Sequence, residues 1–205
     1  MRDMVEGSLP SSAGAPRGEP MIICLTGKMA AGKNHVCAML EKDGCLSLDL
    51  DRAAHAASEL CSARILGAFG AEAQKRGLSL TGEDGSLDRR ALGQIVFSDS
   101  GLLARLEGII YPKITELADA FIEENKGRTL ILNATVLFKI PGLLAKCDKI
   151  LFVRAGFLKR LVRARKRDRL PLRQILARFR NQRNLLGEYR EFADRHGIPM
   201  EIIRN

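Results

Sequence analysis

The sequence predicts an α/β fold built on a five-stranded parallel sheet with a helical insertion, and three observations lead to it. Short apolar pulses alternate with stretches of helical periodicity along most of the chain. One pulse, Met21–Thr26, runs into the glycine-rich turn Gly27-Lys28-Met29-Ala30-Ala31-Gly32-Lys33 and then a helix-forming stretch. The block from Asp51 to Lys126 holds no convincing strand and exceeds the length of one crossover connection, so it reads as an inserted helical lobe.

In chain order, residues 1–20 are rich in Ser, Gly, Pro and Ala and lack the apolar block of a secretory signal. They read as a disordered tail, with Met21 as a candidate natural start. The strands expected are Met21–Thr26, Cys45–Leu48, Thr129–Asn133, Lys149–Val153 and Glu201–Arg204. The first helix starts at Lys33 and stops at Asp43-Gly44, where glycine permits the left-handed turn that ends a helix. Leu80 to Gly85 is a turn-rich loop, and Leu102, Leu103, Leu106, Ile109 and Ile110 recur at helical spacing before Pro112. Phe157–Arg167 is a further helix, and Pro171 opens the next, since proline costs least in a first turn. The domain reading is a core of residues 21–50 and 127–160, an insertion 51–126, and a lid with C-terminal region 161–205.

Bulk properties narrow the classes. A hydrophobic content of 46% with only 5% aromatic residues implies an aliphatic core. No run approaches the ~18 apolar residues of a membrane span, so no membrane partner is expected. The cysteines Cys24, Cys37, Cys45, Cys61 and Cys147 are odd in number and form no C-x-x-C, which favours reduced core thiols and a cytoplasmic protein over disulfides or zinc. His35, His55 and His196 are too scattered for a histidine metal site. Residues 154–183 carry twelve Lys/Arg against Asp168 alone, a local +11 that leaves −2 for the rest of a +9 chain. Something anionic meets that segment, either nucleotide phosphate or nucleic acid.

Strand, turn and helix around Gly27–Lys33 have the pattern of a P-loop. Such a turn points backbone N–H groups and the positive end of a helix at phosphate oxygens, and Lys33 reaches the β/γ-phosphates. The candidate ATP-binding residues are therefore Gly27, Lys28, Met29, Ala30, Ala31, Gly32, Lys33, Asn34 and His35, joined by Arg163 and Arg167. Asn34 stands where Ser or Thr would place a hydroxyl on magnesium, so it is the candidate metal residue.

P-loop, insertion and an Arg-rich, mobile helical lid together look like the architecture of the nucleoside-monophosphate kinases. Within that class the chain resembles the dephospho-CoA kinase family. Leu48-Asp49-Leu50-Asp51 is similar to the family's Asp-Ala-Asp, with His55 where the family has Arg or His. Asp84-Gly85-Ser86-Leu87-Asp88-Arg89-Arg90-Ala91-Leu92, followed by Ile95-Val96-Phe97, resembles its Asp-Gly-x-Leu-Asn-Arg-x-x-Leu with a later Phe. Tyr111-Pro112 sits at its His-Pro, and Arg163, Arg167-Asp168, Arg178 and Gln182 match its lid pattern. The matches run in order from about Met21 to Gln182. Departures occur at Asn34, at Tyr111, and in Asn133-Ala134-Thr135-Val136-Leu137-Phe138-Lys139, where the family reads Asp-x-Pro-Leu-Leu-Phe-Glu. The final Ile202-Ile203-Arg204-Asn205 resembles the family's last strand.

The resemblance implies an ATP- and Mg2+-dependent kinase that phosphorylates the ribose 3′-hydroxyl of 3′-dephospho-CoA. It makes Asp49 the carboxylate that meets the hydroxyl, at a strand's carboxyl end where open α/β sheets place ligands. The catalytic set is then Lys33, Asp49, Arg163 and Arg167, and the acceptor set Asp49, His55, Arg89 and Tyr111. Each has a plainer reading. Asp49 or Asp51 can cap a helix, Arg163 and Arg167 can belong to a solvated basic face, His55 and Tyr111 can be core positions, and Arg89 can pair with Asp84 or Asp88. Two other functions stay open: a related small-molecule or nucleotide kinase, and a nucleic-acid-binding P-loop protein using residues 154–183. Against the latter, only Phe157 and Phe179 interleave those cations, a poor platform for stacking bases.

Overall fold

A computed structural model describes residues 6–8, 19–82, 84–168 and 170–205. The described residues form two compact units, one of those up to Asp49 together with those from Phe121 to Asn205, the other of those from Leu50 to Ala120.

The first unit is a parallel sheet. Its strands are β1 (Glu6–Ser8), β2 (Ile22–Gly27), β3 (Leu46–Asp49), β4 (Leu130–Asn133), β5 (Lys149–Arg154) and β6 (Met200–Arg204), in the order β1-β6-β5-β2-β4-β3. Ile23, Cys24, Leu25 and Thr26 of β2 are all buried, as are all four residues of β4. Such continuous burial belongs to strands covered on both faces, and it explains why these segments read as unbroken apolar pulses rather than alternations. On one face α1 (Lys33–Lys42) lays Val36, Cys37 and Leu40 against Ile23, Leu25, Ile131, Leu151 and Val153. Each such aliphatic side chain removed from water contributes about 1.5–3 kcal/mol. On the other, Tyr189 of α9 (Leu185–His196) meets the Phe152 ring edge-on at 6.3 Å. Its hydroxyl accepts from Leu137 N, in the short 3-10 turn Leu137–Lys139. α6 (Pro141–Leu144) follows that turn, with Leu143 and Leu144 fully buried. Two more helices, α7 (Phe157–Asp168) and α8 (Leu172–Asn181), lie between β5 and α9.

The five expected strands are present within a residue or two. A sixth corrects part of the tail reading: Glu6, Gly7 and Ser8 pair in parallel with Ile202, Ile203 and Arg204. The physical reason is the open edge of β6, whose unpaired backbone groups are a template for any extended segment. The other tail positions expected to be disordered, residues 1–5 and 9–18, lie outside the described residues.

The second unit is helical. It contains α2 (Leu50–Leu60), α3 (Ser62–Lys75), α4 (Arg89–Val96) and most of α5 (Ser100–Glu124). Ala57, Ile65, Phe69, Ile95 and Ala118 are fully or almost fully buried. α4 is capped by Asp88, whose carboxylate accepts from Arg90 N and Ala91 N at 2.9 and 3.0 Å. The turn-rich loop before it closes through Gly82 N to Ser86 O and Asp88 N to Leu80 O. Pro112 does not end its helix, because α5 continues through it to Glu124. The unit accordingly spans Leu50–Ala120, while α5 carries on into the sheet unit, where a boundary near 126 was expected.

All five cysteines are free and buried, and burial pushes the Cys24, Cys37, Cys45 and Cys147 thiols up. Among the described residues, no helix is long and apolar enough to cross a membrane.

Candidate active site

β2 delivers the chain to the carboxyl edge of the sheet, where β4 lies on one side of it and β5 on the other. This is the switch point of the strand order, the place where open α/β sheets bind ligands. The loop that follows is shaped by its small residues. A Cβ at Gly27 would collide with the backbone carbonyl of Val153 on the adjoining strand. Ala30 has φ 60° and Gly32 φ 100°, separated by Ala31, whose N–H closes a turn onto Lys28 O at 3.0 Å. Left-handed residues alternating with others turn successive N–H groups toward one concavity, a nest for an anion. α1 starts at Lys33 with no side-chain cap on Gly32, which suits a helix end meant to meet a ligand's oxygens.

Lys33 is aimed by a neighbour on the next strand's loop. Its ammonium donates to Thr135 Oγ1 at 2.6 Å. Thr135 is held in turn, since its carbonyl accepts from Thr26 Oγ1 at 3.2 Å and from the Tyr189 hydroxyl at 3.3 Å. A fully buried tyrosine thus fixes the seat of the loop lysine. Burial pushes the Tyr189 phenol well up, so it stays a neutral donor.

Asp49 is the last residue of β3 and lies opposite Asn133 in the strand register. Asn133, 5% exposed, donates from Nδ2 to Asn34 Oδ1 at 3.3 Å. Its own Oδ1 is buried with no hydrogen-bond partner. Two positions where the sequence departs from the family pattern therefore touch one another. Their side chains set two neutral amide oxygens beside the loop lysine's helix, and one of those oxygens lacks a donor. Oxygen donors are what a hard cation such as magnesium takes, so the pair fits one, without a carboxylate's charge.

The Arg-rich segment closes on the loop from the other side. Arg163 donates from Nη1 to Ala31 O at 3.3 Å, and Arg160, which was not singled out in the sequence, donates from Nε to Met29 O at 2.9 Å. Gln182 Oε1 accepts from Met29 N at 2.6 Å, Lys28 donates to Arg183 O at 2.9 Å, and Asn205 Nδ2 donates to Ala31 O at 3.0 Å. Arg167 is placed differently: its guanidinium makes a two-pronged pair with Asp168, 2.6 and 3.1 Å, and 62% of its side chain is exposed. That partner holds the Asp168 carboxyl below its ordinary range and raises the Arg167 guanidinium. His35 is exposed on the first turn of α1.

In the helical unit, His55 and Arg89 line one cavity of ≈ 160 Å³ with Ser58, Leu92, Phe97 and Leu106 among its other walls. Arg89 does not pair with Asp84 or Asp88; it forms an ion pair with Glu59 at 3.0 Å. Asp88 is occupied as a cap, and Asp84 accepts from Ser86 N and Oγ at 3.0 and 2.7 Å. Tyr111 is half-buried on α5 and is not among the residues lining that cavity. Burial, then the carboxylate of Glu107 to which it is hydrogen-bonded, push its phenol far up.

Comparison with known proteins shows which family the chain resembles. The family model for dephospho-CoA kinase matches residues 21–194. A dephospho-CoA kinase of Treponema denticola is 39% identical over 176 residues, covering 83% of this chain and 78% of that protein. One from Geobacter sulfurreducens is 31% identical over 191 residues, covering 89% and 93%. Among solved structures, TT1252 from Thermus thermophilus superimposes with a TM-score of 0.73 at 29% identity, covering 92% of this chain and 90% of that one.

Proposed function

From the premise that this chain belongs to the dephospho-CoA kinase family, we infer that the site built around Gly27–Lys33 and Asp49 performs the family's reaction. The chain is an ATP-dependent phosphotransferase with a hydroxyl acceptor. It transfers the γ-phosphate of ATP to the ribose 3′-hydroxyl of 3′-dephospho-CoA, giving CoA and ADP. The match over residues 21–194, with Lys33 seated on Thr135, carries the reading.

In this reading the loop N–H groups of Lys28, Ala30, Gly32, Lys33 and Asn34, with His35 next on the helix, cradle the β- and γ-phosphates, while those of Met29 and Ala31 hold the loop's shape through Gln182 and Lys28. Lys33 stabilises the charge that gathers on the transferring group. Its hydrogen bond to Thr135 lowers the reorganisation needed when phosphate arrives. Asp49 orients the acceptor hydroxyl and takes its proton late, because in a loose transition state the oxygen needs little activation early on. The residues that suit Mg2+ are Asn34 and Asn133 through their amide oxygens. When bound, the ion neutralises the β/γ-phosphate oxygens. Arg163, already beside Ala31, supplies a planar fork for phosphate oxygen. Arg167 joins it only by leaving Asp168. His55 and Arg89 hold part of the acceptor from the helical unit's own cavity, and Tyr111 serves the same unit from α5. The five buried free thiols suit a reducing, cytoplasmic setting.

The nucleic-acid alternative is less well supported, because Lys28, Arg160 and Arg163 in and beside the basic segment turn inward onto carbonyl oxygens. The deciding experiment measures ADP release with Mg-ATP and each of 3′-dephospho-CoA, AMP, dCMP and shikimate. The first is expected to turn over at least about tenfold faster than any other, a preference of roughly 1.4 kcal/mol in the barrier. Equal or faster turnover of another acceptor would overturn the acceptor assignment.

A further inference from the structure

The sheet unit contains a cavity the reaction above does not use. It measures ≈ 390 Å³ and lies at the carboxyl end of β5, where the chain passes into α7. Four cations, Lys28, Arg154, Arg160 and Arg190, are among the described residues that line it. Phe157 and Leu186 add an apolar wall. Cations gathered around a partly enclosed space raise the local positive potential and draw anions to it.

Arg160 makes the case specific. It is 8% exposed, its Nε is committed to Met29 O, and its guanidinium lies 4.2 Å from the centre of the Phe179 ring. Its Nη2 is buried with no hydrogen-bond partner. A buried charged donor left unmet costs about 1–3 kcal/mol or more, and an acceptor within the cavity whose wall it forms would remove that penalty. The first turn of α7 begins in the same wall, at Phe157. Lys28 also turns away from the loop, donating to Arg183 O rather than to the loop's own concavity. Burial, then its proximity to Arg160 and Arg154, lower its pKa, as expected of an ammonium crowded by like charge.

We propose that this cavity is a second oxyanion site, separate from the phosphate cradle of Gly27–Lys33, that takes a phosphate or diphosphate group. The group is either free or carried on a molecule whose apolar part rests on Phe157 and Leu186. The acceptor assignment plays no part in this, because every lining residue belongs to the sheet unit.

The test is a calorimetric titration of the full chain, first saturated with a non-hydrolysable ATP analogue so that the loop is filled. Inorganic pyrophosphate and phenyl phosphate are the two probes. One further equivalent of at least one probe is expected to bind, and the double variant Arg154→Glu with Arg190→Glu is expected to weaken it at least tenfold. The variant should leave the analogue's affinity within about twofold, and the neutral pair Arg154→Gln with Arg190→Gln should fall between. Tighter binding of phenyl phosphate assigns the site to an organic phosphate, and tighter binding of pyrophosphate to a free oxyanion. Failure of both probes to bind the filled protein, or binding indifferent to both double variants, overturns the proposal. A folded double variant is verified by a cooperative melt, without probe, at a temperature no lower than that of the parent chain.

Discussion

In the function proposed above the loop end of the sheet takes the nucleotide and the cavity of the helical unit takes part of the acceptor, and the two regions are held very differently. Every residue from Lys28 to Ala31 except Ala30 is tied by a side chain or carbonyl from more than a hundred positions away. In the helical unit the corresponding polar groups are fastened locally or at the surface: Arg89 to Glu59, Asp84 to Ser86, Tyr111 to Glu107. Phosphate oxygens are the same in every ATP, so a rigid, pre-arranged cradle loses nothing by being inflexible. An acceptor with several rotatable parts is better met by groups that can release one partner and take another.

The largest effect expected from this contrast is at the cradle. Lys33→Ala should reduce turnover by about 10²–10³-fold, the usual loss for one pre-arranged charge donor, with a smaller fall in ATP affinity. Asp49→Asn should lose most turnover while ATP binding, followed by equilibrium titration, is retained. A variant pair that damaged ATP binding as badly as turnover would place both residues in ground-state binding only.

Next in size is the difference between two arginines one helical turn apart. Arg163→Ala removes a group already at the loop and should lower turnover about tenfold, roughly 1.4 kcal/mol. Arg167→Ala should lower turnover less, because Arg167 must first give up a two-pronged carboxylate partner. Steady-state rates at saturating ATP decide between them, and a larger loss at Arg167 would mean that the Asp168 pair opens readily.

Asn34→Thr should act on magnesium rather than on nucleotide. A hydroxyl one bond beyond Cβ enters an octahedral shell at ~2.1 Å more easily than an amide oxygen two bonds out. The magnesium concentration for half-maximal rate should drop, while metal-free ATP binding stays as it is. The same change removes the acceptor for Asn133 Nδ2, and a stranded buried donor costs about 1–3 kcal/mol, visible as a lower melting temperature. An unaltered magnesium titration would show that the amide pair already coordinates as well as a hydroxyl.

The smallest effect on the fold belongs to the helical unit. The Arg89–Glu59 pair is about half exposed on both sides, and such pairs contribute about 0.2–1 kcal/mol. Arg89→Ala should therefore leave melting almost unchanged, yet raise KM for 3′-dephospho-CoA severalfold at constant kcat. An unmoved KM would confine Arg89 to its ion pair.

Much of this was readable in the chain. Strands buried on both faces announce themselves as unbroken apolar runs, and Gly27 and Lys33 mark the cradle because glycine is demanded where a neighbouring carbonyl comes too close. Other features left no local trace. Arg160 sits in a run of cations where composition cannot separate the buried guanidinium from exposed ones. Thr135 looked like one more departure in a degraded motif, and its hydroxyl acquires meaning only because β4 runs beside β2. Asn34 and Asn133 each read as a loss, 99 positions apart, until the sheet brought their amides together. The β1 pairing was hidden because the open edge of β6, rather than the polar composition of residues 6–8, selects it.

The ties between loop and helices also have a consequence for motion. Met29 and Ala31 are bonded to Arg160, Arg163 and Gln182, while Arg160 packs on Phe179. Neither the loop nor the α7–α8 pair can open without breaking the other's bonds. Their amides should thus exchange with solvent deuterium as one cooperative unit, with a shared opening free energy rather than a loop-like one. Filling the loop with nucleotide would then slow exchange as far away as α8, where no nucleotide atom need reach.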